Sequence, residues 1–227
     1  MKQGIEMLPL NKQKIEEVRE RTTEVLNDLL ISQRLVLQAL SDCDEKSYEQ
    51  TKVPLKGINS KVDEIDQLIV AVLVRYSPEA KDLREMVAFL KITSSLQRIA
   101  TNEKNYIKNM KICNPETEAE IKKVIVDSLS INKCTIRALE YTIEMMNEKK
   151  DKDKLHEIAS KIDVEASKTD DIYGMIEKDM LQKMDVAHTL NEDYINLLKY
   201  IRKNLKIIDR LEDISAKLMF ARVGGML

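Results

Sequence analysis

The sequence predicts an all-α fold of two tandem antiparallel three-helix bundles, and three observations support this prediction. Among 227 residues there are only 5 glycines and 4 prolines, whereas charged residues make up 33% of the chain. Few residues are therefore available for tight turns, which favours long helices over a sheet. Between the breakers, apolar residues recur at spacings of three and four, as an amphipathic helix requires. With no tryptophan and 2 phenylalanines against 11 methionines, the core is expected to be aliphatic.

The positions of prolines and charged turns divide the chain into six long helices. Pro78 and Pro115 stand before the third and fourth segments, and charged turns separate the last three. In the last segment, apolar residues from Tyr194 to Leu218 form one stripe. Short connections between long helices predict antiparallel neighbours. The predicted helices span residues 11–41, 46–76, 79–111, 116–148, 152–184 and 190–222.

Local signals support two of the helix starts. Pro78 fits the first turn of the third helix, where its missing N–H costs no hydrogen bond. Asn114, directly before Pro115, is a residue type that caps helix N-termini. The six helices divide into two sets of three, which predicts one unit over residues 1–113 and a second over 114–227.

Charge and cysteine content restrict the class of protein. The 37 basic and 39 acidic residues give a formal charge of -2, which offers no overall electrostatic footprint for nucleic acid. No signal sequence and no membrane-spanning stretch is evident, so we expect a cytoplasmic protein that reaches a membrane only through partners. Cys43, Cys113 and Cys134 are odd in number and far apart, which is typical of thiols in a reducing compartment.

Three short motifs carry a resemblance to a known family. Residues 78–84 read PEAKDLR and are followed by Lys91, residues 96–99 read LQRI, and residues 209–213 read DRLED. These segments are similar to the P-x-A-x-D-L-R and L-E-R-I-G-D motifs of the PhoU family. The order of six helices also agrees, so the resemblance spans nearly the whole chain. The family-motif residues are Asp66, Asp82, Arg84, Arg98 and Arg210.

The resemblance implies a regulatory protein rather than an enzyme. PhoU proteins are cytoplasmic, often form homodimers, and act as negative regulators of phosphate uptake and phosphate-starvation signalling. They work by contact with the phosphate transporter's cytoplasmic component and with its sensor kinase. Several members carry iron or other metal clusters on acidic motifs, one set in each unit.

The acidic motifs predict a reduced metal site in the second unit. In the first unit the family's Glu and Asp are replaced by Gln97 and Thr101, so that only the middle-helix Asp66 remains. In the second unit, the resemblance implies an iron or zinc site at Asp170, Asp209 and Asp213. The spacing of Asp209 and Asp213 places both on one helix face. These acids are equally compatible with an ordinary solvated helix surface.

Two alternatives to phosphate regulation remain open from the sequence. One is a helical protein that binds iron or zinc through carboxylates, and the other is a structural helical adaptor. Catalysis is not expected, because no glycine-rich phosphate loop is present and the two histidines, His156 and His188, fall in charged connections.

Overall fold

The all-α prediction is confirmed by the computed structural model, which describes residues 3–43, 45–110, 117–148, 151–186 and 191–224. Within these ranges the secondary structure is helical, and no strand occurs in them. The helices are α1 (Gln3–Asp42), α2 (Glu45–Thr51), α3 (Ile58–Tyr76), α4 (Ala80–Met110), α5 (Ala119–Asn147), α6 (Lys152–Val186) and α7 (Asn191–Val223).

The predicted second helix, 46–76, is wrong over residues 52–57, where the chain turns between α2 and α3. Pro54 lies in this turn and has no N–H to donate to a helical hydrogen bond. Gly57 adopts a φ of 75°, a left-handed conformation that glycine accepts without strain. Leu55 is buried in the core and anchors the turn. The two breakers together end the helix.

The starts of α4 and α5 differ slightly from their predicted positions. Pro78 precedes α4 and does not lie in its first turn, because Ser77 takes a left-handed φ of 42° and the helix begins at Ala80. The first helical hydrogen bond there runs from the N–H of Leu83 to the carbonyl of Glu79, at 2.9 Å. The proposed cap at Asn114 falls outside the described residues.

Each unit is a set of antiparallel helices, and the two units share one core. In the first unit, Asp28 of α1 pairs with Lys61 of α3, at 2.6 Å. Helix α4 packs along α7, and α1 packs along α5, so each unit covers the apolar face of the other. The buried apolar side chains form one continuous cluster through both units. The predicted boundary between residues 113 and 114 lies outside the described residues.

A buried ion-pair network joins α1, α4 and α7 at one end of the molecule. Glu85 is 1% exposed and accepts hydrogen bonds from the guanidinium of Arg19, at 2.6 and 2.7 Å. Its Oε1 also accepts one from Nη1 of Arg222, at 2.7 Å. Because Arg222 is itself buried, Glu85 is the carboxylate that neutralises a charge inside the protein.

A buried polar layer crosses the same helices about five turns away from Glu85. Gln33 of α1 donates to Asn204 of α7 at 3.5 Å and accepts from Asn132 of α5 at 3.3 Å. Glu103 of α4 is fully buried beside Gln33, and neither of its oxygens accepts a hydrogen bond from a described residue. Burial raises the pKa of Glu103 to about 8, against a smaller lowering effect of Ser32 and Gln33. Glu103 is therefore mostly protonated at neutral pH.

Two further predictions concern free cysteine thiols and membrane-spanning helices. Cys134 is a buried free thiol, whereas Cys43 is disulfide-bonded, so the expectation of three thiols is wrong for Cys43. The sequence spacing of cysteines did not show which of them meet in space. None of the helices in the described ranges combines the length and apolar character needed to cross a bilayer.

Replacing Glu85 with alanine should lower the unfolding free energy by about 3 kcal/mol, because it leaves the buried Arg222 without its counter-ion. Glu64→Ala is the matched control, since Glu64 pairs with Arg21 at an exposed site and should cost less than about 1 kcal/mol. Urea denaturation of both variants measures the difference. Equal losses would show that the buried network contributes no more than a surface pair.

Glu103→Gln should change how stability depends on pH. The raised pKa means that the folded protein holds a proton the unfolded chain has lost, so wild-type stability falls as pH rises toward about 8. The variant lacks this titration and should gain on the wild type by up to about 1.4 kcal/mol per pH unit between pH 5 and 8. Denaturation series at several pH values provide the test. A difference that stays constant with pH would contradict the raised pKa.

Candidate functional site

The antiparallel packing of α4 against α7 brings the second and third family motifs together. Two adjoining surface crevices follow this line of contact, and Arg98 of α4 and Arg210 of α7 line both. The larger cluster of cations belongs to the first crevice, about 420 Å³ in volume, which we call the basic groove. It is lined by Lys91, Ser94, Ser95, Arg98, Arg210, Asp213, Ala216 and Lys217. The second crevice, about 470 Å³, is lined by Gln97, Arg98, Thr101, Asn102, Lys206, Asp209 and Arg210.

Asp213 faces α4 and is already hydrogen-bonded there. Its Oδ2 accepts a hydrogen bond from the hydroxyl of Ser95 at 2.7 Å and another from the ammonium of Lys217. Burial raises the pKa of Asp213, but the hydrogen bonds from Lys217 and Ser95 outweigh it, so its pKa lies below the ordinary value. This carboxylate therefore serves as a fixed acceptor between two helices.

Asp209 and Asp170 lie near each other on the outer face of α6 and α7. Burial raises the pKa of Asp209, and the negative charge of Asp170 raises it further. Burial also raises the pKa of Glu212, with added repulsion from Asp163, Asp209 and Asp170. These acids form a negatively charged surface that adjoins the second crevice, which Asp209 also lines.

The proposed metal ligands are thus only partly brought together. Asp170 and Asp209 are neighbours, whereas Asp213 is bonded to Ser95 and Lys217. Among the described residues, no three His, Cys, Asp or Glu side chains come close enough to hold a metal ion. Glu165, another acid of α6, bonds to Arg137 of α5 at 2.6 Å. Metal binding at the three aspartates stays a prediction.

In the first unit, the remaining aspartate and the neutral side chains that replace the family's other acids are all hydrogen-bonded. The hydroxyl of Thr93 donates to Asp66 at 2.6 Å, and the amide of Gln97 donates to Asp63 at 3.2 Å. Thr101 uses its hydroxyl to bond the carbonyl of Gln97, one turn earlier. At the two positions where the family has carboxylates, Gln97 therefore links α4 to α3, and Thr101 bonds a backbone carbonyl of its own helix.

Comparison with known proteins shows which family and which fold this helical chain resembles. The PhoU domain model matches residues 23–110. The crystal structure of PhoU from Pseudomonas aeruginosa superposes with a TM-score of 0.82 at 18% identity, covering 94% of this chain and 99% of the other. PhoU from Streptococcus pneumoniae, a phosphate transport system regulatory protein, gives 0.71 at 17% identity, covering 96% and 99%. No curated protein sequence matches the chain significantly.

Residues 23–110 thus match the PhoU domain family. The resemblance to the PhoU family predicted from the sequence motifs is confirmed, and the whole chain has the PhoU fold. The domain match ends at the last residue of α4, so it contains Asp66, Arg84 and Arg98. Asp209, Arg210 and Asp213 lie beyond it, in the part that the structural comparison covers.

Asp82 and Arg84, both within residues 23–110, stabilise the start of α4 and its packing against α7. Asp82 lies in the first turn of α4, where a negative charge favours the helix dipole. The Arg84 guanidinium lies 6.0 Å from the ring centre of Phe220 near the end of α7. Gly224 follows with a φ of 95°, and a Cβ there would approach Nη1 of Arg84 to 3.0 Å. This contact fixes the end of α7 against the start of α4.

Sequence reasoning missed four polar residues of the basic groove, one of which is Ser94. Lys91 was noted only as part of a motif, and Ser95 and Lys217 were not assigned to a site. One signal could have found the two lysines, because Lys91 precedes Arg98 by seven residues and Lys217 follows Arg210 by seven. Seven residues are about two turns, which places each pair on one helix face.

Proposed function

We propose that this protein is a PhoU-like regulator of phosphate uptake and phosphate-starvation signalling. It acts in the cytoplasm by binding the cytoplasmic component of a membrane phosphate transporter, its sensor kinase, or both. The observation that carries this proposal is the PhoU domain at residues 23–110 within a chain that has the PhoU fold throughout. Its action is contact rather than catalysis, and it works as a homodimer.

An exposed apolar strip on α3 is the surface we assign to the transporter. Val70 is 51% exposed and Val74, one turn later, is 76% exposed, with Ala71 between them. They line a crevice of about 410 Å³ that is flanked by Asp66 and Arg75. Adjacent exposed valines with a charged rim are typical of a protein-contact site. The partner is a transporter subunit that presents an apolar patch with charges at its edge.

Changing Val70 and Val74 to aspartate together should reduce capture of transporter subunits from phosphate-replete cells by at least about tenfold, because charges would replace apolar contacts. Val126→Asp is the matched control, since Val126 is 58% exposed on α5, outside this strip. Capture is measured by affinity purification and mass spectrometry of bound proteins. Recovery of neither transporter nor sensor kinase by the wild-type protein would contradict the proposed function. Equal loss in the control would contradict the assignment of the α3 strip.

A second candidate function is binding of iron or zinc through carboxylates, and the clustering of acids on α6 and α7 favours it. Burial, together with repulsion from neighbouring carboxylates such as Asp170, raises the pKa of both Asp209 and Glu212, as expected where carboxylates lie close together without a cation. Carboxylate oxygens are ligands for both metals. The aspartates would hold the ion, and Asp213 would join only by exchanging its bond to Lys217.

Elemental analysis of the purified protein tests this second function. Metal binding predicts near-stoichiometric iron or zinc in the wild type and its loss in Asp170→Asn/Asp209→Asn, because neutral amides are weaker ligands for these cations. Asp127→Asn, at an exposed position on α5, serves as control and should retain the metal. Metal-free wild-type protein after growth and purification with added iron and zinc would exclude this function and leave the regulatory one.

A further inference from the structure

The basic groove has a charge pattern that differs from the rest of the chain. Lys91, Arg98, Arg210 and Lys217 line it together with a single carboxylate, Asp213, for a net charge of +3. The whole chain carries a formal charge of -2. Four cations around one crevice repel each other, so an arrangement of this kind is stabilised when an anion enters it.

The cations form two opposed pairs along the antiparallel helices. Arg98 and Arg210 face one another, and Lys91 and Lys217 line the same groove two turns away on their respective helices. At a rise of 1.5 Å per residue, the seven residues between the pairs correspond to about 10 Å. The groove therefore presents two positive positions separated by the length of a small elongated anion.

The two arginines have no strong partner of their own. Among the described residues, neither Arg98 nor Arg210 forms a hydrogen bond or an ion pair within 4 Å, although Asp209 and Asp213 influence Arg210 electrostatically. Arginine presents a planar set of donors that matches two oxygens of a phosphate group. The unused donors of both guanidinium groups are thus available at the point where two crevices meet.

Hydroxyl groups and one carboxylate complete the groove. Ser94 is exposed and can donate to an anion, while Ser95 is buried and donates to Asp213. Lys217 donates to Asp213 and lies 3.4 Å from the Ser95 hydroxyl, which holds its ammonium in the groove. This positioning reduces the freedom that Lys217 would lose on binding a ligand.

From these observations we infer that the basic groove binds a small polyphosphate-type anion, with one end on the Arg98–Arg210 pair and the other on the Lys91–Lys217 pair. Inorganic phosphate can engage only one pair and binds more weakly. A groove of about 420 Å³ has the volume of a typical small-ligand site, and four converging cations favour a compact polyanion over a neutral ligand. The inference stands on the groove alone and does not rest on the proposed function.

Isothermal titration calorimetry with tripolyphosphate, at about 0.1 M salt, tests this inference. We expect one binding site per chain, at least about tenfold weaker binding of inorganic phosphate, and weakening of all binding as salt rises. Arg98→Ala/Arg210→Ala should lose at least about 30-fold in affinity, because the bidentate donors are removed. Arg98→Lys/Arg210→Lys should recover only part of it. Arg34→Ala/Arg202→Ala, at exposed positions on α1 and α7, is the matched control and should bind as the wild type does.

A gain-of-binding variant keeps the test independent of folding defects. Asp213→Asn removes the one carboxylate that lines the groove, so tripolyphosphate should bind severalfold more tightly. The inference is overturned if the wild type does not bind tripolyphosphate, if the Arg98/Arg210 and Arg34/Arg202 variants lose affinity equally, or if Asp213→Asn weakens binding. Binding of a poly-glutamate peptide without binding of tripolyphosphate would also overturn it, and would assign the groove to an acidic protein segment.

Discussion

The antiparallel packing of α4 against α7 is the constraint on which the rest of the molecule depends. It runs from the Glu85–Arg222 pair to the polar layer around Gln33 and Glu103, about 27 Å along α4. One helix comes from each unit, so neither unit covers its own apolar face completely. The result is a single core in which buried aliphatic side chains from both units touch. Burial of this surface supplies most of the stabilisation, while the buried polar groups fix which helices meet and in which register.

The same packing determines what the surface can bind. Because the inner faces of α4 and α7 are apolar, their polar residues lie along the two edges of the contact, where each helix faces the other across a crevice. The positions that carry acids in the PhoU family are neutral in the first unit, at Gln97 and Thr101. Arg98 and Arg210 then dominate the local charge. The proposed anion site lies in the basic groove, whereas Asp209 lines the adjoining second crevice beside the same two arginines.

The sequence contained most of the fold, because amphipathic stripes report directly which face of a helix is buried. It failed at residues 52–57, where Pro54 and Gly57 act together, and at Cys43, whose bonding depends on distances that spacing along the chain does not give. The candidate site was less predictable. Motif similarity found Arg98, Arg210 and Asp213, but only the pairing of α4 with α7 shows that Lys91 lies opposite Lys217, and that Ser95 and Lys217 hold Asp213. The Lys91–Lys217 and Ser95–Asp213 pairings join residues more than a hundred positions apart and have no local signature, whereas Asp213 and Lys217 are one helical turn apart.

The direction in which α4 and α7 run past each other can be measured in solution. The native cysteines are first replaced by serine, and spin labels are placed at position 91 of α4 and at either 217 or 206 of α7. Pulsed electron paramagnetic resonance then gives the 91–217 and 91–206 distances. Antiparallel packing predicts that the 91–217 distance is the shorter by up to about 16 Å, since eleven residues of helix separate the two labels on α7. A shorter 91–206 distance would contradict the antiparallel packing of α4 and α7. It would also contradict the shared core and the basic groove, because both depend on that packing.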